Sequence, residues 1–117
     1  MSEKIDVILE HMLEDAQDTV ELAKEAGTYE KFASTMSTRK AVVMSLLNIG
    51  ELAHHLPDSF IAKHPEIPWT RMINMRNLAA HGYHILNLET VWEAAQTFIP
   101  ELLAFLQKQV PDEKIDS

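Results

Sequence analysis

Cysteine is absent from this 117-residue chain, which excludes disulfides and thiolate metal sites. Glycine is nearly as scarce, with three residues, alongside five prolines and 7% aromatics. That poverty in turn formers and aromatics points away from a β-sandwich, and the abundant Leu, Ala, Glu and Met point to helices. No long apolar run exists either. The longest uncharged, largely apolar stretch, Ala41 to Gly50, falls far short of the roughly 20 residues that span a bilayer. The opening Met-Ser-Glu-Lys-Ile-Asp lacks a secretory pattern, so a cytoplasmic protein is expected. Glycine-rich phosphate loops, a His-Glu-x-x-His helix and calcium-type carboxylate runs are missing too, which removes those enzyme classes. What is present, 46% hydrophobic and 24% charged residues, is the composition of a single globular domain, expected over residues 1–110 with a polar tail at 111–117.

Positive charge is scarce overall, giving a net charge of −8 that argues against coating nucleic acid by bulk electrostatics. The acids are not evenly spread. Residues 1–38 carry nine acids against three lysines, and residues 85–117 carry six against two. Between Arg39 and His84 five bases face three acids, and five of the six histidines lie there. An anionic ligand would bind that middle stretch, and the acidic flanks read as solvated helix faces.

Ile5, Ile8, Leu9, Met12, Leu13, Ala16, Val20 and Ala23 recur at three- and four-residue steps, predicting a long amphipathic helix stopped at Gly27. A second helix is predicted from about Tyr29–Ser34 through Leu52, apolar on most sides and therefore central in a bundle or at a subunit contact. Pro57, Pro65 and Pro68 bound a connection with one short helical turn near Ser59 to Lys63. A third helix is predicted from Trp69 or Thr70 toward Gly82, and a fourth from about Glu89 to Lys108 with a kink at Pro100. The fold class is therefore all-α, an up-and-down bundle of four main helices plus a short connecting helix.

Polar side chains crowd one place, Arg76-Asn77 to His81-Gly82-Tyr83-His84, where a helix must end. Two readings are open there. In the structural one, Arg76 pairs with an acid, His81 caps the helix dipole and Tyr83 packs with its hydroxyl satisfied. In the functional one, the site cleaves RNA without a metal. Histidine, which exchanges protons near neutrality, removes the proton of a ribose 2′-OH, and that oxygen attacks the adjacent phosphorus. Arginine holds the phosphoryl oxygens as charge builds on them. One histidine does not serve as both base and leaving-group acid, so a two-fold dimer bringing two segments into one cleft completes the set. A metal role is the lesser reading: the neighbours His54 and His55 diverge by about 100° on a helix, and His81 with His84 has no third strong ligand nearby in sequence.

Arg76-Asn77, four residues on His81, then Gly82 and Tyr83 reproduce a pattern by which the chain resembles the HepT family, ribonuclease toxins of the all-helical HEPN superfamily. Leu46-Leu47-Asn48-Ile49-Gly50-Glu51-Leu52-Ala53 is similar to that family's Gly-Glu-Ala helix, with Leu52 at the usual alanine. Ile67-Pro68-Trp69, Val91-Trp92 and Ile99-Pro100-Glu101-Leu102 extend the likeness over about residues 5–108. After the motif the chain has Asn87 where relatives often carry an acid.

The resemblance implies that Arg76 and His81 are catalytic, that Tyr83 belongs to the RNA-binding cleft, and that Asn77 helps bind phosphate. It also implies a type VII toxin-antitoxin pair. The partner is a minimal nucleotidyltransferase antitoxin that uses ATP and magnesium to place AMP on Tyr83, blocking the phosphate site by bulk and like charge. The toxin itself is expected to be a prokaryotic cytoplasmic homodimer with RNA as substrate, no cofactor, no metal and no membrane contact. Two alternatives remain: a non-catalytic HEPN module that binds a nucleotidyltransferase, and a nucleotide-binding helical protein in which Arg76 and the histidines hold a ligand phosphate.

Overall fold

A computed structural model describes residues 3–82 and 86–110, and every described element is helical. Tyr83, His84 and the expected polar tail at 111–117 lie outside the described residues. Seven helices follow in order: α1 (Glu3–Ala26), α2 (Tyr29–Ser34), α3 (Met36–His54), α4 (Asp58–Lys63), α5 (Trp69–Ala79), α6 (Leu88–Gln96) and α7 (Phe98–Gln109). The helical bundle is as expected, with α4 as the short connecting helix, but two of the long segments are each divided.

The predicted stripe of α1 is buried at Ile8, Leu9, Met12, Leu13, Ala16 and Ala23. Gly27 ends the helix with φ of +79°, a left-handed conformation that glycine adopts without a Cβ penalty, and its N–H donates to the Ala23 carbonyl at 3.0 Å. Thr28 then starts α2 by accepting the Lys31 N–H on its hydroxyl at 3.1 Å.

The second predicted helix breaks at Thr35, which is extended at φ −99° and ψ 102°. Two contacts stabilise the break. The Ala33 carbonyl, released from the helical ladder, accepts Arg39 Nη1 at 2.6 Å. Fully buried Phe32 stacks on the Trp92 ring with centroids 5.1 Å apart, burial worth about 2 kcal/mol. The fourth predicted helix divides at Thr97, three residues before Pro100. Proline has no N–H to give the carbonyl four residues back and its ring crowds that group, here Gln96, so the chain bends there and Pro100 sits in the first turn of α7.

Helix α3 is central. It packs along α1 on one side and α5 on another, and it also touches α2 and α6. The Asn48 side-chain amide of α3 favours the charged form of the Asp15 carboxyl of α1. Burial, with Asp18 and Glu14 nearby, nevertheless raises the Asp15 carboxyl above its ordinary pKa. Against α5 the approach is closest at Gly50. A Cβ placed there would lie 2.5 Å from the Met72 carbonyl oxygen and 2.8 Å from the Arg76 Cβ, so only glycine lets the two helices cross at this separation. Among the described residues, no helix is long and apolar enough to cross a membrane.

Candidate active site

The inward stripe of α5 runs Trp69, Met72, Arg76, at helical steps of three and four, and its Met72 and Arg76 meet Gly50 of α3. Trp69 and Met72 are buried, and Trp69 Nε1 is anchored on the His64 carbonyl at 2.8 Å. Arg76 is the polar end of that stripe. Its Cβ lies over Gly50, and the next residue of α3, Glu51, meets its guanidinium.

The pairing is two-pronged. Arg76 Nε donates to Glu51 Oε2 at 2.7 Å and Nη2 to Oε1 at 3.4 Å, while Nη1 donates to Asn77 Oδ1 at 2.9 Å. Three of the five guanidinium donors are thus occupied and the fork is fixed in one orientation. The Arg76 side chain is 35% exposed, so the remaining N–H groups are open to solvent or ligand. Glu51 also approaches His55 Nε2 at 3.5 Å, one turn along α3. The Arg76 hydrogen bond, helped by the charge of Arg76, holds the Glu51 carboxyl below its ordinary pKa.

His81 lies two residues beyond α5 and is exposed. The helix ends by tightening: the N–H groups of His81 and Gly82 donate to the carbonyls of Leu78 and Ala79, each at 3.0 Å. Gly82 follows with φ of +131°. Arg76 and His81 are thereby presented on the same end of α5, with no hydrogen bond between them. The structural reading of the sequence is met in one respect, since Arg76 does pair with an acid, and the acid is Glu51. Tyr83 lies outside the described residues, as does His84. The His54 and His55 rings stand edge to face with centroids 5.8 Å apart. Among the described residues, no three potential ligands are grouped to hold a metal ion.

Glu51 is the site residue that reasoning from the Arg76–His81 segment did not reach. Its signal was present as the single acid of a largely apolar helix, directly after a glycine. The 25 residues between Glu51 and Arg76 put the pairing beyond any local spacing rule.

The chemistry of this arrangement suits an anion. A guanidinium clamped by a carboxylate presents its free edge without losing much side-chain freedom on binding, and an exposed imidazole follows at the helix end.

Comparison with known proteins agrees with the motif. Residues 9–109 match the family model described as ribonuclease HepT-like. A protein of Caldanaerobacter subterraneus, named as a candidate RNase, is 35% identical over 89% of this chain and 88% of its own length. One from Thermococcus cleftensis, named as a probable ribonuclease HepT, is 33% identical over 82% of this chain and 90% of its own. A candidate RNase of Methanocaldococcus jannaschii is 31% identical, covering 86% and 83% respectively. No solved structure gives a significant match.

Proposed function

The chain belongs to the HepT-like ribonuclease family, and from that premise we propose that it is a metal-independent endoribonuclease whose site is built on Arg76 and His81. The observation that carries this reading is the guanidinium of Arg76, held by Glu51 with a free edge to solvent at the end of α5 from which His81 projects. In the reaction the His81 imidazole takes the proton of a ribose 2′-OH, and the oxygen attacks the adjacent phosphorus. The bond from phosphorus to the 5′-oxygen breaks, leaving a cyclic phosphate and a 5′-hydroxyl. Arg76 stabilises the phosphoryl oxygens as their charge grows. The proton for the leaving oxygen comes from a second imidazolium, which a two-fold dimer supplies from the other copy of His81. Asn77 steadies Arg76 and lines the phosphate site.

The same reading makes Tyr83 the control point. Transfer of AMP from ATP to its phenolic oxygen, with pyrophosphate leaving, installs a bulky anion next to the phosphate grip. The enzyme that does so is a minimal nucleotidyltransferase antitoxin, and the pair forms a type VII toxin-antitoxin system.

The test is cleavage of a cellular RNA pool by purified protein in excess EDTA, beside His81→Ala and Arg76→Ala. Cleavage that survives EDTA and is lost in both variants is expected. Equal cleavage by wild type and His81→Ala would overturn the site. No cleavage by protein whose intact mass shows Tyr83 unmodified would favour a non-catalytic module that binds the nucleotidyltransferase. Coexpression with that enzyme is expected to add the mass of one AMP, and Tyr83→Phe to prevent it.

A further inference from the structure

Beside the Arg76 grip, on a different face of α5, lies a cavity of about 290 Å3 between α5, α6 and the start of α7. Its α5 wall is a single stripe, Arg71, Asn74, Met75 and Leu78, at the one- and two-turn spacings of one helix face. The rim is polar and exposed: Arg71 and Asn74 on one side, Asn87 and Thr90 on the other. The floor is apolar, with Val91 and Phe98 almost completely buried. Leu78, which shares the lining, is 49% exposed, a large apolar side chain left against water.

Arg71 marks what such a cavity would take. In a chain of net charge −8, its guanidinium makes no ion pair with any described residue and lies instead over the Phe98 ring, 5.1 Å from the centroid. A guanidinium over an aromatic face keeps its charge and its N–H donors available to an anion. Arg76, by contrast, is already partnered by Glu51. An apolar slot with amides and an uncompensated arginine at its mouth is the chemistry that receives a nucleobase and the phosphate attached to it. The volume is at the lower end of small-ligand sites, about 300 Å3, and suits one nucleoside rather than a larger ligand.

We propose that this cavity is a subsite for one nucleoside of the RNA strand, adjacent to the scissile phosphate. The base packs over Met75, Leu78 and Val91, Asn74 and Asn87 face its polar edge, and Arg71 holds a neighbouring phosphate. Arg71 lies five residues before Arg76, about 7.5 Å along the helix axis and about 140° around it, so a strand that reaches both cations must curve around α5 from one face to the next. The proposal deepens the ribonuclease reading and rests on it for the identity of the strand.

The experiment separates the two. Methyl NMR of Met75, Leu78 and Val91 is followed during titration with the four nucleoside 5′-monophosphates and with a 2′-O-methyl oligoribonucleotide, which cannot be cleaved. The variants are Thr90→Trp, which fills the exposed mouth, and Arg71→Gln. Saturable shifts in these methyls are expected, abolished by Thr90→Trp. Arg71→Gln is expected to weaken oligonucleotide binding about tenfold and to reduce the slope of log K against log salt by about 0.7. In the cleavage assay both variants should raise KM with little change in kcat. Shifts without any RNA cleavage would uphold a nucleotide site while removing the ribonuclease. Cleavage with wild-type KM in Thr90→Trp would remove the subsite and leave the ribonuclease. Absence of shifts with every probe, or a change of oligomeric state in Thr90→Trp showing that a second copy fills the cavity, would overturn the proposal.

Discussion

On the proposed mechanism, Gly50 and Glu51 hold Arg76 in place and His81 reacts. Gly50 contributes by what it lacks. Gly50→Ala forces a methyl against the Met72 carbonyl and the Arg76 Cβ; it is expected to cost about 1–3 kcal/mol in denaturant unfolding. Cleavage should fall further than the stability loss explains, because α5 must move away from Glu51. His81→Ala removes an exposed side chain, so stability should stay within about 0.5 kcal/mol of wild type. RNA cleavage should drop by about 100-fold or more; a similar drop in both properties would mean that His81 acts structurally.

Glu51 gives a pH signature. Its carboxyl pKa is depressed in the folded protein, chiefly by the Arg76 hydrogen bond, so its stabilising contribution is fully present above the ordinary glutamate value of about 4.3 and is lost as pH falls through the depressed one. Wild type minus Glu51→Gln stability, measured by denaturant unfolding, should be constant at neutral pH and shrink to nothing in acid. Asp15 runs the other way. Its pKa is raised, so it opposes folding at neutral pH and that opposition fades as pH falls through the raised value.

At the scale of elements, the amphipathic stripes were legible because burial needs only a three-and-four spacing, and α1 shows it from Ile8 to Ala23. The stop at Gly27 was legible for the same local reason. Gly27→Ala places a Cβ at φ +79° and should cost about 1–2 kcal/mol, read as a shift in the unfolding midpoint with the slope unchanged. The breaks at Thr35 and Thr97 were not legible at their positions. Thr35 depends on Phe32 reaching Trp92, 60 residues away in the chain, and on Arg39 capturing a released carbonyl. Pro100 announced a bend, but its effect is felt at the carbonyl behind it, so the joint appears at Thr97. The Arg76–His81 segment could be singled out from its polar crowding and resemblance, whereas Glu51 as Arg76's partner needed the docking of α3 on α5.

For the whole molecule, the concentration of basic residues and histidines between Arg39 and His84 coincides with the stretch that carries α3, α4 and α5, so the acidic excess belongs to the segments before and after it in the chain. On the ribonuclease reading, RNA is drawn by a few local cations rather than by the molecule's overall field, and weak salt dependence is expected compared with a basic nuclease. If two copies complete one catalytic set, the cleavage rate per protein should fall on dilution in step with the dimer fraction measured by sedimentation. A rate per protein independent of dilution, across a range where the dimer dissociates, would require both proton transfers within one copy.

The Glu51–Arg76 clamp also sets a sequence of events during synthesis. Its two residues lie 25 apart in the chain, on helices joined through the α4 connection, and the guanidinium is held only after α5 has docked over Gly50. A nascent or proteolysed chain that has not closed this crossing still carries the motif but has no aligned grip. On the ribonuclease reading, the crossing therefore works as a safety catch, released only by the completed fold.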